Sequence, residues 1–140
     1  MNGNYWLNVS PTKDGEKAML DQIHEAGLLA GISTHRVSPV EFCETGNYSI
    51  DMYLFPLNRN GFVYRGYDGR GTVEERIRLI NTCKKPFILM KTLGAGRIPL
   101  EEGLPFVLHN SKPNDLISLG IGTLEEAEES LAILDRPQTG

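Results

Sequence analysis

The chain has 140 residues, of which 40% are apolar and 23% charged, enough for one domain with a core and too apolar for disorder. Its formal net charge of -4 supplies no basic patch for a nucleic-acid partner. No apolar run nears the roughly 20 residues of a membrane span, and residues 1–4 are polar without a basic start, so neither a membrane partner nor a signal peptide is expected. Cys43 and Cys83 are the only cysteines. They fit buried or idle thiols in a reducing compartment, which makes a cytoplasmic protein the expectation.

Taken in order, the chain alternates strand-like and helix-like stretches. Residues 5–9, YWLNV, have strand character, and Ser10 and Pro11 break it. Ala18, Met19, Ile23 and Ala26 fall near one helical face, and Gly27 stops that helix. Residues 28–33, LLAGIS, read as a second strand. Ser38, Pro39, Val40 and Glu41 then offer a cap, an early proline and a glutamate that reaches back, so a short helix should open at Ser38 and end before Gly46. Residues 49–56, SIDMYLFP, give a third strand.

The longest loop follows, residues 58–71. Its Tyr64, Arg65, Tyr67 and Arg70 suit either a lid or a solvated stretch with cation–π contacts. Thr72 and Glu75 form a second capping box, opening a helix to about Thr82.

Residues 85–96, KPFILMKTLGAG, are the most informative stretch. The apolar run Phe87–Met90 reads as a strand buried on both faces. Gly94 and Gly96 just beyond it allow a sharp turn or a close approach to a ligand. Residues 99–110 are expected to be helical despite Gly103 and Pro105. Residues 116–120, LISLG, form the last strand, and Thr123 with Glu126 opens a third boxed helix to about Leu134. Residues 137–140 are a polar tail. This alternation means an α/β fold over residues 1–140, with parallel strands and helical crossovers. An open doubly wound sheet and part of a barrel both satisfy it.

In either arrangement the strand ends gather Ser33, Thr34, His35, Asn58, Arg59, Lys91, Thr92, Gly94, Gly96, Arg97, Gly122 and Thr123 on one rim. An anion is the ligand this set suits best. Backbone N–H groups after Lys91 and near Thr123 can donate to it, and Lys91 and Arg97 add charge. A plainer alternative is that the glycines only make a turn, while Glu125, Glu126, Glu128 and Glu129 repel a phosphate. Lys91 also suits Schiff-base chemistry of an aldolase or lyase, although a lysine at a strand end commonly snorkels. His35 is a candidate general base, or a loop histidine bonded to backbone. No HExxH or CxxC spacing supports a metal site.

Three stretches resemble aldo/keto reductases. Residues 28–35, LLAGISTH, are similar to the family's strand that ends in Gly-x-Ser. Residues 85–99 are similar to its penultimate strand and glycine-containing turn. Residues 116–134, with LGIGTLEEAEESL, are similar to its final strand and following helix. The resemblance runs from about Tyr5 to Leu134 and implies a partial TIM barrel, from the fourth strand to the eighth. It also implies NADP as cofactor, held by Ser33, Leu93, Gly94, Gly96, Arg97, Gly122 and Thr123.

The departures are equally informative. A complete barrel takes about 200 residues or more, and the part of the family carrying its catalytic Asp, Tyr and Lys has no counterpart here. Asn8 stands where the family has a catalytic His, and an amide lacks imidazole's acid/base chemistry. Met90 stands for a Tyr that stacks on nicotinamide, and Leu54 for a Gln. The expectation is therefore a reductase-like scaffold without reductase activity of its own, binding a nucleotide or phosphorylated small molecule. The alternative is a structural or interaction domain. A partial barrel leaves strand edges open, which implies a homodimer.

Overall fold

The computed structural model describes residues 13–63 and 71–136. The strand expected at 5–9, the lid residues at 64–70 and the tail at 137–140 lie outside the described residues. Among the described residues nine elements alternate: α1 (Lys13–Glu25), β1 (Gly31–Ser33), α2 (Val37–Thr45), β2 (Met52–Pro56), α3 (Val73–Thr82), β3 (Phe87–Met90), α4 (Leu100–His109), β4 (Leu116–Ile117) and α5 (Leu124–Leu134).

The strands form one parallel sheet in the order β1-β2-β3-β4. A doubly wound sheet reverses its strand order part-way. Here every crossover steps the same way, so right-handed connections put the helices on one face, as in a segment of a β/α barrel. Side-chain burial agrees. Tyr53 and Phe55 of β2 and Phe87 and Leu89 of β3 are fully buried, under Leu20 of α1, Val40 of α2, Ile80 of α3 and Val107 of α4. The residues of opposite parity, Met52, Leu54, Ile88 and Met90, are only half-buried. Their neighbour in register on β4, Leu116, is 61% exposed.

Local chemistry sets the element ends. The Thr72 box is complete: the Thr72 hydroxyl accepts from Glu75 N and the Glu75 carboxylate accepts from Thr72 N. The box expected at Ser38 is not made. The backbone enters α2 two residues earlier, with Arg36 in place of Ser38 at the N-cap and no capping bond from its side chain, and Pro39 sits in the first turn, where a missing N–H costs nothing. At α5 the Thr123 hydroxyl accepts from Glu126 N, but the Glu126 carboxylate reaches Gly122 N instead of Thr123 N. On α1, Leu20 and Ile23 turn inward while Ala18, Met19 and Ala26 are exposed, so the buried stripe is rotated from the expected one. The outer strands are shorter than expected. Leu28 and Leu29 lie before β1 and are 63% and 69% exposed.

The amino ends of the strands are fastened by ionic pins. The Asp115 carboxylate is fully buried and accepts from Phe87 N and Lys112 N, both at 2.8 Å. Asp51 does the same for β1, accepting from Ala30 N at 2.7 Å, with His24 Nε2 2.8 Å from the same oxygen. The Tyr53 hydroxyl donates to Glu44 at 2.5 Å, and Lys85 pairs with that carboxylate at 2.9 Å. Burial and the neighbouring Glu44 charge push the Tyr53 phenol far above its usual range. Burial opposes ionisation of Glu44, but the bonds from Tyr53 and Lys85 outweigh it and lower its pKa. Cys43 and Cys83 are buried and are not joined in a disulfide.

The bond from Ala30 N, then that from His24, lowers the Asp51 pKa. A carboxyl depressed in the folded state stabilises above its unfolded pKa of about 3.9, and loses that contribution as pH falls through the folded value. The side chain is 34% exposed, so screening limits the effect. Asp51→Asn should cost about 1 kcal/mol at pH 7. In denaturant titrations, the gap between the two proteins should close as pH falls below about 4.

Candidate functional site at the carboxyl ends of the strands

β3 ends at Met90, and the chain turns back through residues 91–99 into α4. Lys91 (φ 62°), Gly94 (56°), Ala95 (57°) and Gly96 (77°) all adopt left-handed backbone conformations. Lys91 and Ala95 carry a Cβ, and each such residue costs about 1 kcal/mol or more. The turn is fastened around them. Gly94 N donates to Lys91 O at 2.7 Å, and Arg97 N and Ile98 N donate to Leu93 O at 3.0 and 3.1 Å. The Arg97 guanidinium donates to Gly94 O and lies 4.0 Å over the Phe62 ring. Ile98 is buried beneath the turn. Gly103 lets α4 approach it: a Cβ there would stand 2.8 Å from Leu93 Cδ2 and 3.0 Å from Thr92 O.

Beside this turn is a cavity of about 580 Å³ whose lining includes Lys91, Leu93, Gly96, Ser118, Glu126 and Glu129. Ligand sites commonly occupy about 300–1,000 Å³. Lys91 is half-buried, and its amine makes no hydrogen bond or ion pair with another described residue. The opposite wall is acidic. Glu126 accepts from Gly122 N at 2.7 Å, so the start of α5 is already filled by its own carboxylate. Ser130, buried behind it, donates to Glu126 O at 2.7 Å. A second cavity of about 200 Å³ lies where α2 and α3 begin, among Arg36, Glu41, Glu75 and Arg78. It is below the usual size for a nucleotide.

The expected site residues separate into two groups. Lys91, Leu93 and Gly96 line the large cavity. Gly94 shapes the turn from within, and Arg97 is spent on it and on Phe62. Gly122 and Thr123 serve Glu126 and do not line the cavity. Ser33 ends β1 on the half-buried face, in register with Leu54. His35 follows β1, two strand positions from Lys91, roughly 10 Å across the sheet. The two do not form one catalytic pair.

Other rim residues have structural duties. The buried Thr34 hydroxyl accepts from Arg36 N at 3.1 Å, and the buried Asn58 amide closes on both N and O of Phe62. Arg59 pairs with Glu102. Arg76, 1% exposed, donates to His35 O at 2.8 Å and Pro56 O at 3.3 Å and lies 5.0 Å over the Phe55 ring. It fastens the ends of β1 and β2 to α3. Sequence reasoning misses Arg76, because a charged helical residue reads as solvated. Ser118 and Ser130 are missed as well. A serine just after the last strand is the only signal for the former, and nothing local marks the latter.

Among the described residues there is no group of three or more His, Cys, Asp or Glu able to hold a metal ion, and no helix long and apolar enough to cross a membrane. No family model, curated protein or solved structure matches the chain. The resemblance to aldo/keto reductases therefore stands on the quoted residues alone.

Gly103→Ala tests the packing that shapes the cavity. It should lower stability by about 1–3 kcal/mol, since the Cβ meets the Thr92 carbonyl as well as a movable side chain. Gly120→Ala, with no atom within 4 Å of its Cβ, should change stability by less than about 0.5 kcal/mol. Chemical denaturation of the two variants side by side measures the difference.

Proposed function

We propose that this protein is an aldo/keto reductase-like scaffold that binds a nucleotide or another phosphorylated small molecule, without reductase activity of its own. The observation that carries the reading is the cavity at the carboxyl ends of β3 and β4, with the Lys91 amine, unpaired among the described residues, on its wall. Parallel α/β folds gather ligands at that end of their strands. Within the left-handed turn the N–H groups of Gly94, Arg97 and Ile98 are spent on Lys91 O and Leu93 O, and those of Ala95 and Gly96, which bond no other described residue, are the ones an anion could use. NADP is the cofactor the resemblance implies. Asn8 in place of the family's catalytic histidine is the reason for withholding the reductase activity.

One observation favours a second reading, a structural or interaction domain with no ligand at the rim. Glu126 occupies the N–H that an anion would use at α5, and Glu129 adds a second negative charge to the same wall. On the first reading, Lys91 and the turn hold the anion while Glu126 weakens its binding.

Thermal unfolding with NADP(H), and separately with inorganic phosphate, tells the two apart. A ligand at 100 times its Kd adds about 2.7 kcal/mol to stability, so the melting midpoint should climb with concentration. Lys91→Ala should flatten that climb, and Glu126→Gln should steepen it. A flat response in the unsubstituted protein leaves the structural reading standing alone.

A further inference from the structure

We propose that the ligand of the large cavity is amphoteric: a phosphate monoester that also carries a protonated amine. That assignment rests on the cavity being the phosphate site proposed above, and it concerns the other end of the same ligand. The described wall divides by charge. On one side, after β3, stand the Lys91 amine and the N–H groups of Ala95 and Gly96, which bond no other described residue. On the other side stand Glu126 and Glu129 of α5. Lys91 and Glu129 each make no hydrogen bond or ion pair with another described residue, so the opposite charges share one cavity without closing on each other.

The place of Glu129 in α5 does not account for its charge. Glu125 and Glu126 lie in the first turn, where a carboxylate favours the helix dipole. Glu129 lies beyond that turn, and no lysine or arginine stands three or four residues away on α5 to pair with it. Three residues after Glu126, it shares that residue's side of the helix, so two like charges face the same space. A cation between them relieves their repulsion. A phosphate monoester alone brings about -1.5 to -2 more charge. The cavity of about 580 Å³ would be roughly 10 Å across if round, about one Debye length, so salt does not fully hide the carboxylates from the phosphate. An ammonium on the same ligand turns that repulsion into attraction and leaves the phosphate to Lys91 and the turn. Leu93, Leu100 and Leu119 also line the cavity, which suits a short carbon chain joining the two charged ends.

Isothermal titration calorimetry of the unsubstituted protein with O-phosphoethanolamine, glycerol phosphate and ethanolamine tests this. O-phosphoethanolamine should bind about tenfold more tightly than glycerol phosphate, the gain from two partly exposed ion pairs, and ethanolamine should bind more weakly than either. Glu129→Gln, at an exposed side chain that bonds no described residue, should bring the two phosphate esters closer in affinity by weakening the first and strengthening the second. Lys91→Ala should weaken both. Equal affinity of the unsubstituted protein for the two esters overturns the amphoteric ligand and leaves the phosphate site standing. So does a preference that Glu129→Gln leaves untouched. Ethanolamine binding as tightly as its phosphate ester overturns it too, since the acidic wall would then act alone. Binding of none of the three removes the phosphate site, and the amphoteric ligand with it.

Discussion

The arrangement depends on one topological constraint: each crossover carries the chain to the next strand on the same side. A parallel sheet built that way has helices over one face and none over the other. The core is accordingly one-sided. Tyr53, Phe55, Phe87 and Leu89 are fully buried, while residues between them in the same strands are not. Central parallel strands are ordinarily apolar on both faces because both are covered. The run Phe87–Met90 is apolar throughout, yet only alternate members are covered. The uncovered members are what a barrel interior requires, and they account for an apolar sequence that the helices alone do not explain.

The two ends of the sheet are built from different chemistry. At the amino ends, Asp51 and Asp115 each accept a backbone N–H from the neighbouring strand, and Glu44, Tyr53 and Lys85 form a network. Those bonds satisfy buried polar groups, whose loss costs about 1–3 kcal/mol each. They fix strand register at that end of the sheet. At the carboxyl ends the backbone is strained at Lys91 and Ala95, a guanidinium is buried at Arg76, and the large cavity opens. Barrel enzymes divide stability and function between the same two ends. The Arg76 bonds to His35 O and Pro56 O make the β1 and β2 side of this rim rigid, and that leaves the β3 and β4 side as the place where chemistry has room.

Much of the fold was legible in the sequence, for reasons that separate local from tertiary information. The α3 start was readable because Thr72 and Glu75 satisfy each other within three residues. The α2 start was not, because Ser38 and Glu41 make the same pattern two residues too late and nothing local records that the backbone is already helical. On α1, apolar residues at 18, 19, 20, 23 and 26 permit two overlapping stripes. Only packing against the sheet selects Leu20 and Ile23. The site divides in the same way. Lys91, Leu93 and Gly96 follow a recognisable strand, so their place at its end could be inferred. Ser130 joins the cavity through the docking of α5 on α4, which no spacing in the sequence encodes.

The position of Glu126 sets how strongly an anion can be held. A hydrogen bond to a charged group contributes about 1.5–3 kcal/mol, and Glu126 already makes one, to Gly122 N at 2.7 Å. An incoming phosphate that displaced it would exchange one such bond for another and gain little at α5. A phosphate that left it in place would sit against two carboxylates, with Lys91 as the one lysine or arginine among the described residues of the cavity wall. Either way the net attraction must come from the turn after β3. Its strain at Lys91 and Ala95, about 2 kcal/mol taken together, is then stored where a ligand can use it: the N–H groups of Ala95 and Gly96, which make no bond to another described residue, are held in place before anything binds. That pre-set geometry spares the ligand the cost of ordering a loop, and it is the term that decides between an occupied rim and a bare one.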